Sequence, residues 1–106
     1  MTRFLQVVTV MWSAFFASLV HAQTTAAALH QRATAAMCAN CHGTDGRTVD
    51  GSAIPALVGM PKDYMLRQMQ AFKDGSRPAT VMHQIVKGLT DAQVQTIADY
   101  YAATKR

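Results

Sequence analysis

Large aromatic side chains are scarce in this sequence and unevenly placed. The only tryptophan, Trp12, and three of the four phenylalanines, Phe4, Phe15 and Phe16, fall within the first 22 residues. The other 84 of the 106 residues hold only Tyr64, Phe72, Tyr100 and Tyr101. Acidic residues are few as well: six, all aspartate, against ten Lys and Arg. The basic residues are spread along the chain and form no run, which argues against a nucleic-acid binder, because tracking phosphates requires a clustered stripe. A solvated surface accounts for them, and the mild positive excess suits an acidic partner. Alternating strand patterns, internal repeats and low-complexity tracts are absent. A chain of 106 residues supports one domain at most, which excludes multidomain enzymes and nucleotide-binding α/β folds. A core this small needs disulfides, a metal or a cofactor to complete it. The interior is expected to hold something other than side chains.

The N-terminus reads as an export address. Arg3 gives a positive start, Phe4 to Val20 is mostly apolar but broken by Gln6, Thr9, Ser13 and Ser18, and Val20-His21-Ala22 offers a small-residue cleavage site before polar Gln23-Thr24-Thr25. A membrane-spanning helix needs about 20 predominantly apolar residues, and this interrupted stretch falls short. The expected organisation is a cleaved signal peptide over residues 1–22 and one domain over residues 23–106, working in the periplasm without stable membrane insertion.

Cysteine is also rare, and both cysteines fall in one motif, Cys38-Ala39-Asn40-Cys41-His42. The pattern C-x-x-C-H reads as a c-type haem attachment site. On a helical turn the two sulfurs, three residues apart, share a face and reach the two vinyl groups of one haem. His42, four residues after Cys38, then projects over the same ring and presents a nitrogen to the iron. A thioredoxin-like dithiol would need a βαβ context. A zinc site would need four ligands where the motif offers three. A structural disulfide across two residues would close almost no loop and stabilise little.

The remainder reads as all-α. Residues 26–37 are alanine-rich, with Leu29, Ala33 and Ala36 at helical spacing. Asp45-Gly46 marks a turn just after His42, and residues 48–56 read as loop. Pro61 opens a second helix whose inner face is Met65, Met69 and Phe72, and Gly75 stops it. Pro78 is expected to begin a short helical segment running to Lys87. Thr90 and Gln93 form a capping-box pattern ahead of Val94, Ile97, Ala98 and Tyr101, an amphipathic stripe. The alanine-rich helix is expected to cross this last one, small residues against Tyr101.

The ligand on the far side of the iron decides function. Outside the leader the chain offers Met37, Met60, Met65, Met69, Met82, His30 and His83. Met37 adjoins the attachment turn and does not reach the far face. Met65 and Met69 fit a helix's apolar stripe, where methionine usually fills core gaps. Met82, forty residues beyond His42, has enough intervening chain to wrap the haem edge and ranks first. Met60 and His83 follow, and an open sixth position ranks last.

Residues 37–46, MCANCHGTDG, followed by residues 51–61, GSAIPALVGMP, resemble class I c-type cytochromes. Residues 71–102 are similar to the cytochrome subunit of flavocytochrome c sulfide dehydrogenase and its monohaem relatives. The resemblance implies a class I cytochrome c fold, about four helices around one covalently attached haem c. It implies that Met82, in the R-P-A-T-x-M run, is the distal ligand, that the Pro55 carbonyl accepts a hydrogen bond from His42, and that Leu57 packs on the haem. Tyr64 and Arg77 are candidates for its propionates. Many cytochrome subunits of that family carry two haem motifs and this chain has one. It has no flavin-binding sequence, so sulfide oxidation would require a separate flavoprotein. The expected function is single-electron transfer without bond-making catalysis, as the acceptor for a sulfide-oxidising flavoprotein subunit. The alternatives are a diffusible carrier between a reductase and a terminal oxidase, and a haem-based gas sensor.

Overall fold

The structure, a computed structural model, describes Met1 and residues 25–106; the expected leader lies, Met1 apart, outside the described residues. The chain divides into two units, residues 1–30 and 31–106. In the first, residues 25–30 are helical and exposed. The second comprises a helical segment over residues 31–36 (α1), α2 (Ala39–His42), a 3-10 turn (Thr44–Gly46), α3 (Lys62–Asp74), α4 (Met82–Lys87) and α5 (Asp91–Ala103). No strand occurs among the described residues, and no helix among them is long and apolar enough to cross a membrane.

α5 begins where its chemistry predicts. The Thr90 hydroxyl accepts from the Gln93 N–H at 3.2 Å, while the Thr90 N–H donates to Gln93 Oε1 at 2.9 Å, so the reciprocal capping box satisfies two backbone-end donors. Ile97, Ala98 and Tyr101 are buried along one face. A contact with α1 is present: the Tyr101 hydroxyl donates to the Ala35 carbonyl at 2.8 Å. The contact face, however, is Ala35, while Leu29, Ala33 and Ala36 are exposed. In a stretch of nearly uniform small apolar residues, periodicity does not choose a side.

Pro61 precedes α3 and its carbonyl accepts from the Met65 N–H at 3.0 Å. Gly75, at φ 83°, closes the helix in the left-handed conformation that a residue without Cβ adopts freely. Met65 and Met69 are buried and Phe72 packs against the core. Lys62 pairs with Asp99 at 2.6 Å and Lys73 with Asp91 at 3.2 Å, so the start of α3 lies by the end of α5 and the end of α3 by its start. The two helices are antiparallel. These exposed pairs contribute at most about 1 kcal/mol each; the alignment rests on the buried faces.

The expected helical start at Pro78 is wrong by four residues. Residues 78–81 are not helical, Val81 sits at φ −130°, and α4 starts at Met82. Proline pushes its predecessor, Arg77, out of helical geometry, and the β-branched pair near the start, Thr80 and Val81, favours extended backbone. The helix forms only where the Val81 carbonyl accepts from the Gln84 and Ile85 N–H groups, at 2.9 and 3.2 Å.

Candidate functional site

The C-x-x-C-H motif sits on a short, well-formed turn. Ala35, at the end of α1, accepts from the Cys38 N–H at 3.1 Å, and the Cys38 carbonyl accepts from the His42 N–H at 3.0 Å. That last bond is the four-residue helical link, which stacks His42 over Cys38 with Cys41 beside them. Gly43, at φ 80°, ends the turn. Cys38, Cys41 and His42 all line one cavity of about 450 Å³. Both thiols are free; Cys38 is half-buried and Cys41 exposed. Burial pushes the Cys38 thiol above the ordinary range, because a thiolate is poorly solvated there.

His42 is buried, and its Nδ1 lies 2.7 Å from the Pro55 carbonyl. A carbonyl only accepts, so Nδ1 carries the proton and Nε2 keeps the lone pair. The loop bearing Pro55 is held from both ends. Before it, the Ile54 N–H donates to Ser52 Oγ at 3.1 Å. After it, the Leu57 and Val58 N–H groups donate to the Gly46 carbonyl at 2.8 and 3.2 Å, and the Gly59 N–H donates to the Tyr101 carbonyl at 2.8 Å.

The other walls come from the loop at 53–57, from α3 and from the segment entering α4. Leu57, Met60, Tyr64, Met65, Met69, Phe72, Arg77 and Met82 all line the cavity. The Arg77 guanidinium lies 4.6 Å over the Phe72 ring and donates to Gln68 Oε1. Met60 and Met82 are both partly buried against the core. His83 is not part of the lining; its Nδ1 is buried without a hydrogen-bond partner. Sequence reasoning passed over Gln68, Ile54, Val81 and Ile85, which also line the cavity. Ile54, Val81 and Ile85 are large apolar residues left 40% or more exposed. The available sign was their apolar character in a loop and on the polar side of a short helix.

This donor set fits a porphyrin. Two thiols stand three residues apart, an imidazole is oriented through Nδ1 so that Nε2 is available, and thioethers line a mostly apolar space. The helical frame and the C-x-x-C-H turn on this cavity define a class I c-type cytochrome domain, whose cofactor is haem c. The chain belongs to the family described as cytochrome C oxidase, cbb3-type, subunit III, whose model matches residues 24–100. It is 42% identical over 64 residues to the cytochrome subunit of sulfide dehydrogenase from Chlorobaculum tepidum, covering 60% of this chain and 56% of that protein. It is 39% identical over 71 residues to the thiosulfate dehydrogenase electron acceptor of Thiomonas intermedia, covering 67% and 33%. The cytochrome c4 structure from Acidithiobacillus ferrooxidans superposes with a TM-score of 0.58 at 36% identity, over 62% of this chain and 37% of that one. The chain thus spans about half, or less, of the length of these relatives.

Proposed function

We propose that this protein is a periplasmic single-electron carrier. In this reading the leader over residues 1–22 is removed on export, Cys38 and Cys41 form the thioether links, and His42 Nε2 and Met82 Sδ hold the iron. Pro55 fixes the His42 ring through its carbonyl, and Leu57 packs on the porphyrin. When bound, haem c supplies a one-electron iron couple whose potential His/Met ligation keeps comparatively high. The apolar lining from Leu57, Met65, Met69 and Phe72 excludes water from the ring. Arg77, braced by Phe72 and Gln68, supplies a cation for a propionate, with Tyr64 as a second donor. The observation that carries the reading is the 2.7 Å contact from His42 Nδ1 to the Pro55 carbonyl. Such an outer hydrogen bond sets both the tautomer and the basicity of a ligating histidine.

The ligand assignment is tested with carbon monoxide. Reduced protein is expected to show no spectral change, and Met82→Ala to bind the gas and fall in potential, while Met60→Ala behaves as the parent. The reverse pattern, Met60→Ala opening the iron and Met82→Ala not, would overturn it.

For the partner, we infer a sulfide-oxidising flavoprotein, from the likeness of the sequence to the sulfide dehydrogenase cytochrome subunit. A tagged chain recovered from its own periplasm is then expected to bring a flavin-absorbing protein with it. The relatives named as a thiosulfate dehydrogenase electron acceptor and a cytochrome c4 favour a second reading, a carrier that binds its donors only transiently. Recovery of the chain alone, still fully reducible, would decide for that one.

A further inference from the structure

Two adjacent tyrosines of α5 grip the chain on either side of the attachment turn. Tyr101 donates to Ala35, three residues before Cys38, and Tyr100 donates to Asp45 Oδ1 at 2.6 Å, three residues after His42. The rings meet edge to face with centroids 5.2 Å apart, so each limits the rotation of the other. Asp45 stands at φ 53°, a left-handed conformation that aspartate visits more readily than most residues with a Cβ. The short bond from Tyr100 to its carboxylate is of the strong, charge-assisted kind. The same carboxylate lies 3.9 Å from the Arg47 guanidinium. The next residue, Gly46, carries the carbonyl that receives the Leu57 and Val58 N–H groups. A chain of contacts therefore runs from Tyr100 through Asp45 and Gly46 to the loop whose Pro55 carbonyl faces His42.

We infer that Tyr100 and Asp45 form a positioning pair, which holds the Pro55 carbonyl on His42 Nδ1 and thereby sets the electron-donating strength of the proximal histidine. The inference rests on His42 being the proximal ligand. A firmly held carbonyl gives the imidazole partial anionic character and favours the oxidised iron. Loosening the pair weakens that bond and shifts the potential upward. Neither residue touches the cofactor cavity, so the effect passes through the loop.

The test uses the haem-loaded protein and follows two quantities, the reduction potential and the exchange rate of the His42 Nδ1 proton by nuclear magnetic resonance. Exchange of a protected proton proceeds by local opening. Removing a hydrogen bond to a charged group raises the open population, and with it the rate, about tenfold. Tyr100→Phe is expected to show that acceleration together with a raised potential. Asp45→Asn keeps an acceptor and tolerates the left-handed backbone, so it is expected to lie between Tyr100→Phe and the parent. Thr90→Ala, which loses the cap at the opposite end of α5, is expected to lower global stability and leave both readings unchanged. The proposal fails if Tyr100→Phe leaves exchange and potential at parental values, or if Thr90→Ala moves them equally. Failure of the underlying ligand reading looks different: the Nδ1 proton would then show no iron-induced shift in any variant, the parent included.

Discussion

Gly46 sits at φ 74°, with the Tyr101 ring and the Val58 amide on the side where a Cβ would project, at 2.8 and 2.9 Å. Both neighbours are fixed, the ring by its hydrogen bond to Ala35 and the amide by its bond to Gly46 itself. Gly46→Ala therefore meets left-handed strain of about 1–2 kcal/mol and overpacking of about 1–3 kcal/mol. The expected loss on urea unfolding of the holoprotein is about 2–5 kcal/mol. A loss below about 0.5 kcal/mol, the usual effect of a surface change, would show that the turn yields freely. At this scale the sequence is legible only in part. The Asp45-Gly46 pair announces a turn, because those residue types tolerate unusual backbone. That Asp45 receives Tyr100 and that Gly46 receives the Pro55 loop are contacts over eleven to fifty-five residues, and no local pattern encodes them.

Elements were most readable where a terminus carries its own chemistry. Thr90 with Gln93, and Gly75 at the end of α3, place those boundaries because side chain and backbone satisfy each other locally. The expected cost of Thr90→Ala is accordingly that of an ordinary cap, about 1 kcal/mol, read as a lower urea midpoint with an unchanged slope. The reading failed where local preferences conflict. Residues 78–81 carry a proline that is compatible with a first helical turn and a β-branched pair that is not, and the extended form wins. In α1 the alanine-rich sequence secures a helix and small residues for the contact but leaves the choice of buried face to the partner. Tyr101 chooses Ala35 because a hydroxyl at that depth needs an acceptor, and the carbonyl at the end of α1 supplies one.

At the level of the whole molecule, seven residues among those described make the buried apolar core, Ala35, Met65, Met69, Val86, Ile97, Ala98 and Tyr101, and three of them, Met65, Met69 and Ile97, line a cavity of about 450 Å³. The shortage of aromatic side chains and the attachment motif thus point to the same thing from opposite directions. The sequence omits the residues that would fill the space and includes the two thiols that fasten a porphyrin in it. Which methionine would complete the proposed coordination is less legible, since Met60 and Met82 both reach the lining and sequence separation alone only ranks them.

The most direct test of a porphyrin bonded through Cys38 and Cys41 is the intact mass of the protein isolated from its own cells under denaturing conditions. One haem added per chain, with no thiol left to alkylate, is the predicted result. A polypeptide of unmodified mass, its two sulfurs free or joined to each other, would contradict it.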